Sequence, residues 1–354
     1  MLKLFFPITG LFVDPFLVFS TGLFGGFMSG FLGIGCGVII TPVLMEFGIP
    51  PLIAVATQLC HAVGTNFTNF LAYKRNRDVD FHLAAYILFG GFLGAACEWA
   101  LLRCSSGSGA INKFIYVYVV VLIVFGFIML TQSFKEWKRG GVNKYASGVM
   151  MRRWMLYLPF HKIFVRSRAE MSVLIPIFVG FLAGLLVASL GGGNNLFMAP
   201  IITYLIGRIS PVVNGTTALA GCVITAVVAV IYSSSNYCCD MLFVLILFAG
   251  AAFGSWIGVK LTYNIKRYYI NALAGIIVFL MASRQIFKII NHSFTTQIEN
   301  VADLTKSVFA QIVNGNPVLY TIICIITITL IAYIFEKSLQ LLSERRQNNK
   351  LKGK

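Results

Sequence analysis

The hydrophobic positions of this chain lie in long continuous stretches, and the polar positions are concentrated between them. A helix needs about 20 predominantly apolar residues to cross the hydrocarbon core of a bilayer. The pattern therefore predicts an all-α polytopic membrane protein. It excludes an outer-membrane barrel, whose strands alternate apolar and polar residues. Seven stretches contain no Asp, Glu, Lys or Arg: Pro15–Met45, Phe47–Tyr73, Phe114–Phe134, Met171–Gly207, Ile209–Cys239, Met241–Val259 and Ser307–Phe335.

The composition agrees with a membrane protein and argues against nucleic acid, a metal or a cofactor as a partner. Of the 354 residues, 58% are hydrophobic and 11% are charged. A soluble domain has about 25% charged residues, which excludes a soluble enzyme behind a signal peptide. The net charge of +16 is typical of basic cytoplasmic loops, and no aromatic-basic module points to nucleic acid. The 8 cysteines show neither a disulfide framework nor zinc-ligand spacing, so we expect no metal and no cofactor.

The chain contains an internal repeat, in which glycines, a proline and an aspartate recur in the same order. It predicts two membrane halves, over residues 16–132 and 172–290. When Gly30 is paired with Gly184, the second copy is four residues longer than the first before the proline. The paired positions are Gly26-Phe27-x2-Gly30 with Gly180-Phe181-x2-Gly184, Gly33–Gly37 with Gly191–Asn195, Pro42 with Pro200, Ala56-Thr57 with Gly215-Thr216, and Asp80-x9-Gly90-x3-Gly94 with Asp240-x9-Gly250-x3-Gly254.

The basic residues of the loops indicate that the second half is inverted relative to the first. If it is inverted, the loops and tail on the cytoplasmic side carry 21 Lys and Arg, and those on the other side carry five. A parallel arrangement would give 15 and 11. The positive-inside rule favours inversion, with the basic loop 133–171 and the tail 336–354 in the cytoplasm. The same rule makes Tyr232–Met241 periplasmic. Residues 291–335 add a connection and one more membrane helix without a counterpart in the repeat.

Inversion requires an odd number of crossings in each half. The apolar stretches Pro15–Met45 and Met171–Gly207 are too long for one span and short for two. Two re-entrant hairpins with their tips at the glycines satisfy both conditions. Three ordinary spans per half give the same parity, so about nine helical spans stay open as the alternative. With hairpins the chain crosses about seven times, at 49–73, 83–102, 114–132, 211–232, 242–260, 269–287 and 317–335.

The glycine-rich tips are candidates for a substrate site at the middle of the membrane. Irregular backbone at this depth is tolerated only inside protein or along a water-filled path. A short helix that begins at each tip would direct its free N–H groups and its positive dipole end at an anion. The alternative is that the glycines only permit close helix packing. The candidate residues are Gly33, Gly35, Cys36 and Gly37 in the first half, and Gly191, Gly192, Gly193, Asn194 and Asn195 in the second.

A polar stripe follows each tip and predicts a face that lies inside the protein. In the first half it includes Gln58, His61 and Asn66, at three- to five-residue spacing along one helix. In the second half it is thinner and includes Thr216 and Thr217. These five residues are predicted to line the substrate path. The alternative is that the stripe joins helices by hydrogen bonds.

Glu98 is the only carboxylate well inside an apolar stretch, so it is a candidate for proton coupling. Arg103 follows closely near the predicted helix end, which favours a pair at the membrane interface. Asp80 and Asp240 precede matching helices and are expected to be N-caps. No nucleophile–base set, phosphate-binding loop or dinucleotide motif is present, so we do not expect an enzyme.

Together these motifs resemble the sulfite exporter TauE/SafE family of membrane permeases. The resemblance rests on Gly26–Gly30, Gly33–Gly37, Thr41-Pro42, Ala56-Thr57 and Asp80 with its glycines, and on their repetition in the second half. It implies a bacterial inner-membrane transporter of small sulfur-containing anions such as sulfite, thiosulfate or organosulfonates. It assigns no residue roles, so the candidate site rests on the physical argument.

The expected function is a secondary transporter that carries a small anion by alternating access between the inverted halves. An anion channel is one alternative. An intramembrane enzyme or assembly factor that uses His61 and Glu98 is another. The identity of the anion, the direction of transport, coupling to a proton or ion, and the oligomeric state are left open by the sequence.

Overall fold

The structure is a bundle of helices with two short antiparallel strand pairs outside it. A computed structural model describes residues 4–6, 11–32, 36–75, 79–104, most positions of 116–138, 161–164, 169–192, 198, 211–235, 237–262, 267–290 and 315–352. Leu4–Phe5 (β1) pairs with Phe12–Val13 (β2) ahead of the first helix. His161–Phe164 (β3) pairs with Ala169–Ser172 (β4) inside the predicted cytoplasmic loop, with His161 opposite Ser172.

Helices make up nearly all of the rest, and their bounds follow the apolar stretches of the sequence. The described positions between 116 and 138 are also helical. The helices are α1 (Pro15–Leu32), α2 (Gly37–Glu46), α3 (Pro51–Arg75), α4 (Phe81–Cys104), α5 (Leu174–Leu190), α6 (Pro211–Ser234), α7 (Met241–Thr262), α8 (Arg267–Ile290) and α9 (Pro317–Lys352).

The helices have the length and surface of an all-α membrane protein. Among the described residues, three segments are long and apolar enough to cross a bilayer, at Phe81–Ala100, Val212–Ser234 and Pro317–Ser338. Apolar side chains such as Phe16, at 79% exposed, form much of the outer surface, which suits contact with lipid. The predicted all-α membrane class is confirmed, while the count of seven crossings plus two hairpins stays a prediction.

Where the first hairpin is predicted, the chain forms two separate helices, one on either side of the predicted glycine-rich tip. An 18-residue helix, α1, and a 10-residue helix, α2, lie on either side of residues 33–35. At 1.5 Å per residue, α1 is about 27 Å long and α2 about 15 Å. In the second half, α5 ends at Gly191, whose φ of 73° is left-handed and whose N–H bonds to the Val187 carbonyl at 3.0 Å. A left-handed residue at this position suits glycine, which has no Cβ to clash.

The first helix of each half packs against a helix of the other half. Helix α1 packs along α7 of the second half, and α5 packs along α4 of the first half. Both contacts are made at glycines that allow one backbone to touch another. A Cβ on Gly26 would overlap the backbone of Ala251, and one on Gly184 would overlap the backbone of Gly91. In lipid, where no hydrophobic effect joins helices, such close contact is a main source of association.

These contacts correct the alignment of the repeat. Gly22 and Gly26 contact α7 in the same way as Gly180 and Gly184 contact α4. Gly22 is therefore the counterpart of Gly180, and Gly26 is the counterpart of Gly184. From Gly26 to Pro42 and from Gly184 to Pro200 the distance is then 16 residues in both halves. The four-residue difference therefore disappears. The sequence suggested Gly26 and Gly30 because three glycines recur every four residues in α1, and the following Phe27 matches Phe181.

Helices α3 and α6 lie between these pairs and are joined by two reciprocal hydrogen bonds. The Asp80 N–H donates to Thr216 Oγ1 at 2.9 Å, and the Asp240 N–H donates to Thr57 Oγ1 at 3.3 Å. Each aspartate follows one helix, and each threonine lies near the start of the other. Consequently α3 and α6 run antiparallel.

The predicted N-caps are confirmed at the same two aspartates. Asp80 Oδ1 accepts hydrogen bonds from the N–H groups of His82 and Leu83, at 3.1 and 3.2 Å. Asp240 Oδ1 accepts one from the Leu242 N–H at 3.2 Å. Each aspartate thus stabilises the start of its own helix while its backbone N–H binds the other half.

Helix α9, which has no counterpart in the repeat, packs mainly against α3 of the first half, and hydrogen bonds join its start to the second half. The Thr321 hydroxyl donates to Ser233 Oγ at 2.7 Å, and the Ser233 hydroxyl donates to the Pro317 carbonyl. The Met241 N–H donates to the Tyr320 hydroxyl at 3.3 Å. The start of α9 therefore lies beside the turn between α6 and α7.

Replacing Gly26 with Ala is expected to destabilise the protein by about 1–3 kcal/mol, because the added methyl group meets backbone atoms of Ala251 rather than a movable side chain. Gly315→Ala is the matched control, since nothing lies within 4 Å of a Cβ at that position. Thermal unfolding in detergent should give a lower midpoint for Gly26→Ala alone. A midpoint equal to that of the parent protein would contradict the backbone contact between α1 and α7.

Candidate functional site

The two glycine-rich breaks meet inside the protein. A Cβ built on Gly37, at the start of α2, would lie 2.7 Å from the Gly192 Cα. A Cβ on Gly191 would lie 3.1 Å from Thr41 Oγ1 and from the Val55 carbonyl oxygen. The start of α2, the end of α5 and the first half of α3 therefore converge. Only residues without side chains fit between them.

Three polar side chains form a connected cluster at this point of convergence. The Cys36 Sγ lies 3.6 Å from His61 Nδ1, and the Gln58 Nε2 lies 3.7 Å from the same sulfur. All three side chains are buried, with Gln58 and His61 at 0% exposed. We call Cys36, Gln58 and His61 the polar cluster.

Within the described part of the chain, the outer ends of the polar cluster have no hydrogen-bond partner. These ends are the His61 Nε2 and the Gln58 Oε1. A buried polar atom without a partner loses the full energy of its hydration, so native proteins rarely keep one without a reason. Two such atoms on neighbouring side chains are typical of a site that a ligand completes.

The start of α2 adds a positive potential beside the polar cluster. Cys36 is the N-cap residue of α2, and its side chain makes no capping hydrogen bond. Helix dipoles place about half a positive charge at such an end. The ion pair on this helix, between Glu46 and Arg284 at 3.0 Å, lies at its opposite end. The arrangement favours a small anion through a helix dipole and hydrogen bonds.

The structure brings together six of the predicted site residues. Cys36, Gly37, Gln58, His61, Gly191 and Gly192 are the six that converge. Asn66 is buried on α3, further from the break. Gly33, Gly35, Gly193, Asn194 and Asn195 lie outside the described residues, so their placement stays a prediction.

The two threonines of α6 have other bonding partners. Thr216 bonds to the backbone of Asp80 and, through its hydroxyl, to the Val212 carbonyl at 2.6 Å. The Thr217 hydroxyl donates to the Asn214 carbonyl at 3.1 Å. Thr216 therefore joins helices by hydrogen bonds, which is the second role that the sequence left open for the polar stripe. No contact among the described residues brings either hydroxyl to the polar cluster.

Sequence reasoning missed two buried polar residues near these helices. Thr41 is fully buried and faces Gly191, and its position in a short apolar helix just before Pro42 was the available signal. Gln285 on α8 is buried with both amide atoms unpartnered, but nothing in the sequence distinguishes it from a surface glutamine. It adjoins Arg284, which pairs with Glu46 at the far end of α2.

Glu98 is separate from the polar cluster in its contacts. It is buried near the end of α4 and interacts electrostatically with Tyr232 of α6, whose hydroxyl donates to the Ala188 carbonyl at 2.6 Å. Among the described residues no contact joins Glu98 to His61, and no group of three His, Cys, Asp or Glu residues could hold a metal ion. The catalytic pairing of His61 with Glu98 therefore has no geometric support in the described part of the chain.

The fold and the site define a helical membrane protein whose broken helices meet at a buried polar cluster. The profile of the sulfite exporter TauE/SafE family matches residues 18–284. The chain belongs to this family. The match includes both repeats and ends before α9.

Curated relatives carry transporter names and align over most of their length. Two are from Bacillus subtilis (strain 168): "Probable membrane transporter protein YjnA" is 27% identical over 68% of this chain and 87% of the relative, and "Probable membrane transporter protein YunE" is 21% identical over 75% and 95%. A "Probable membrane transporter protein" of Haemophilus influenzae is 23% identical over 77% and 94%. No solved structure is significantly similar. Family and relatives together make this protein a membrane transporter.

Gly192→Leu is expected to abolish transport while the protein still inserts into the membrane. Gly192 has a φ of 152°, which strains any other residue, and a Cβ there would lie 3.3 Å from the Gly37 Cα. Substrate uptake by vesicles, normalised to the amount of protein in the membrane, measures the effect, with Gly315→Leu as control. Normal uptake by Gly192→Leu would contradict a functional role for the meeting of the breaks.

Proposed function

We propose that this protein is a secondary transporter of a small anion, with sulfite or a related sulfur-containing anion as its substrate. The observation that carries the proposal is the meeting of the two helix breaks beside a buried polar cluster with two unpartnered atoms. Discontinuous helices that direct an N-terminus at an anionic group are a recurrent transporter site. Sulfite itself is suggested by the family name and by no residue of the site.

The packing supports an inverted arrangement of the two halves. Helices α3 and α6 are equivalent in the repeat, and their reciprocal bonds through Thr216 and Thr57 show that they run antiparallel. If both cross the membrane, the halves enter it from opposite sides. The loop charges then place residues 133–171 and the C-terminal tail in the cytoplasm of a bacterial cell, with the helices in its inner membrane.

The burial of the site supports alternating access. Cys36, Gln58 and His61 have at most 2% of their surface exposed, so a substrate reaches them only when helices move. The close backbone contacts keep α1 on α7 and α5 on α4. We therefore propose that the moving bodies are these mixed pairs, each built from both halves, rather than the halves themselves.

Sulfite counterflow tests the proposed function directly. Liposomes that hold the purified protein and unlabelled sulfite are expected to take up labelled sulfite saturably, with ranked competition by thiosulfate, sulfate and a small organosulfonate. Liposomes with Gly192→Leu protein are the control. Flux that never saturates and shows no counterflow would favour an anion channel. If folded protein takes up none of these anions, each tested in labelled form, sulfur anions are removed as substrates and the search turns to carboxylates and other anions.

The proposed topology predicts that Lys74 and Ser234 face opposite sides of the membrane. Both residues are exposed, at the ends of α3 and α6. Lys74→Cys should react with an impermeant thiol reagent only from the cytoplasmic side, and Ser234→Cys only from the periplasmic side. The parent protein gives the labelling background, because Cys97 on α4 is exposed while Cys238 and Cys239, close to Ser234, are buried. Labelling of both variants from one side would contradict the inversion.

A further inference from the structure

The two strand pairs are equivalent elements of the repeat. Leu4 lies opposite Val13 in the first pair, and Lys162 lies opposite Met171 in the second. The two registers are 158 residues apart, which is also the offset that aligns the glycines of α1 with those of α5. Each half therefore begins with a strand pair of the same register, directly ahead of its first helix.

The two strand pairs lie on opposite sides of the membrane in the proposed topology. Helix α1 runs parallel to α7, because Gly22 meets Leu247 and, one turn later, Gly26 meets Ala251. The start of α7 follows the turn Tyr232–Met241, which is periplasmic in that topology. The first strand pair is then at the periplasmic end, and the second, within the basic middle loop, is at the cytoplasmic end. An element that recurs at both ends suits alternating access, which closes one end at a time.

Side chains of the first strand pair bridge two parts of the helix bundle. Phe6, directly after β1, is 0% exposed and stacks on Phe243 near the start of α7, with the ring centroids 3.7 Å apart. Leu11, just ahead of β2, reaches the turn between α2 and α3, where a Cβ on Gly48 would lie 4.0 Å from the Leu11 Cδ1. The strand pair thus covers the space between α7 and this turn.

Apolar side chains fill the region between Phe6 and the polar cluster. Cys36, Ile40 and Leu44 follow one another at one-turn spacing along α2, and all three are buried. They belong to the same contiguous group of packed side chains as Phe6 and as Ala54, which lies near the start of α3. An anion crosses such a region only if these side chains separate, since an unpaired charge is costly among apolar groups. The polar cluster is therefore closed at this end.

The opposite end of the polar cluster is more open. Along α3, the face that carries Gln58 and His61 continues at three- to four-residue spacing. Its next members, Thr65, Thr68 and Asn69, are only partly buried. Hydroxyl and amide groups are costly against lipid, so this stretch favours contact with water. In the proposed topology it leads to the cytoplasm.

Building on the proposed function, we infer that Phe6 is the gating residue at the periplasmic end of the substrate path, and that the structure holds this gate shut. Phe6 moves with α1 and α7, the helices that form one of the proposed moving bodies. When that body leaves the turn between α2 and α3, the packed side chains part and the polar cluster opens to the periplasm. The residue at the equivalent position of the second strand pair is Phe164.

Thiol labelling of Cys36 tests whether Phe6 closes the path. Cells are treated with a small impermeant methanethiosulfonate, which reaches the periplasmic side, and labelling of Cys36 is measured by mass spectrometry. Phe6→Ala should raise the labelling rate about tenfold or more above that of the parent protein, because the side chain that fills the entrance is removed. Phe12→Ala is the matched control. Phe12 belongs to the same strand pair but is 64% exposed, so its loss should leave the rate unchanged.

Cys60 distinguishes an open gate from a loosened protein. It lies on α3 beside His61 and is buried in the other large group of packed apolar side chains. In Phe6→Ala it should stay as unreactive as in the parent protein. If Phe6→Ala does not fold, Phe6→Leu removes the aromatic stack while keeping most of the volume, and the same selective rise at Cys36 is expected.

Sulfite flux into liposomes gives a second measurement that a purely structural role would not change in the same way. With the periplasmic gate removed, both ends of the path are open at once. Phe6→Ala should therefore add a component of flux that does not saturate, as in a channel, whereas Phe12→Ala should keep the saturable flux of the parent protein. A purely structural role would only lower the saturable flux.

The outcomes separate this inference from the proposed function. Labelling of Cys36 that is equal in Phe6→Ala and Phe12→Ala would overturn the gate, and so would a parallel rise at Cys60. Reduced sulfite flux without a non-saturating component would also overturn it. Labelling requires no substrate, so absence of sulfite flux in the parent protein would count against the proposed function alone, and the labelling would still decide the gate.

Discussion

The close contact of backbones at glycines is the interaction on which the rest of the structure depends. Within a bilayer, helices gain nothing by hiding apolar surface from lipid, so association relies on contact area and on hydrogen bonds. In α1 and α5 the glycines let one helix touch the backbone of its partner, at positions such as Gly26 and Gly184. These contacts hold each first helix on the opposite half.

The position of the site follows from those helix ends. Since α1 and α5 are each fixed to the other half, the start of α2, which follows α1 along the chain, meets the end of α5 beside α3. Gly37 and Gly192 can touch only because neither has a side chain. The same geometry leaves the start of α2 without a side-chain cap and places it next to His61 and Gln58. Glycine thus serves both the packing between the halves and the close contact between the start of α2 and the end of α5.

The sequence was sufficient for the helices, the first break, the caps at Asp80 and Asp240, and the burial of Gln58 and His61. The sequence was insufficient where one pattern of residues is compatible with several alignments or with several neighbouring elements. Three glycines at four-residue spacing in α1 fit two alignments, and only the contact of Gly22 with α7 chooses between them. A threonine on a polar stripe can face a substrate path or another backbone, and Thr216 bonds to Asp80. Periodicity identifies the face of a helix but not the element that lies against it.

The two halves of the repeat share their helix packing but differ in their polar side chains. In the corrected alignment Cys36 still pairs with Asn194, and along α3 and α6 Gln58 pairs with Thr217 and His61 with Ala220. The second half therefore cannot build a copy of the polar cluster. Alternating access between two similar states requires equivalent helices on both sides, but a single substrate requires only one set of donors and acceptors. For the proposed alternating access, a duplicated scaffold with one polar cluster meets both requirements, because each proposed moving pair contains helices of both halves and one half supplies the cluster side chains.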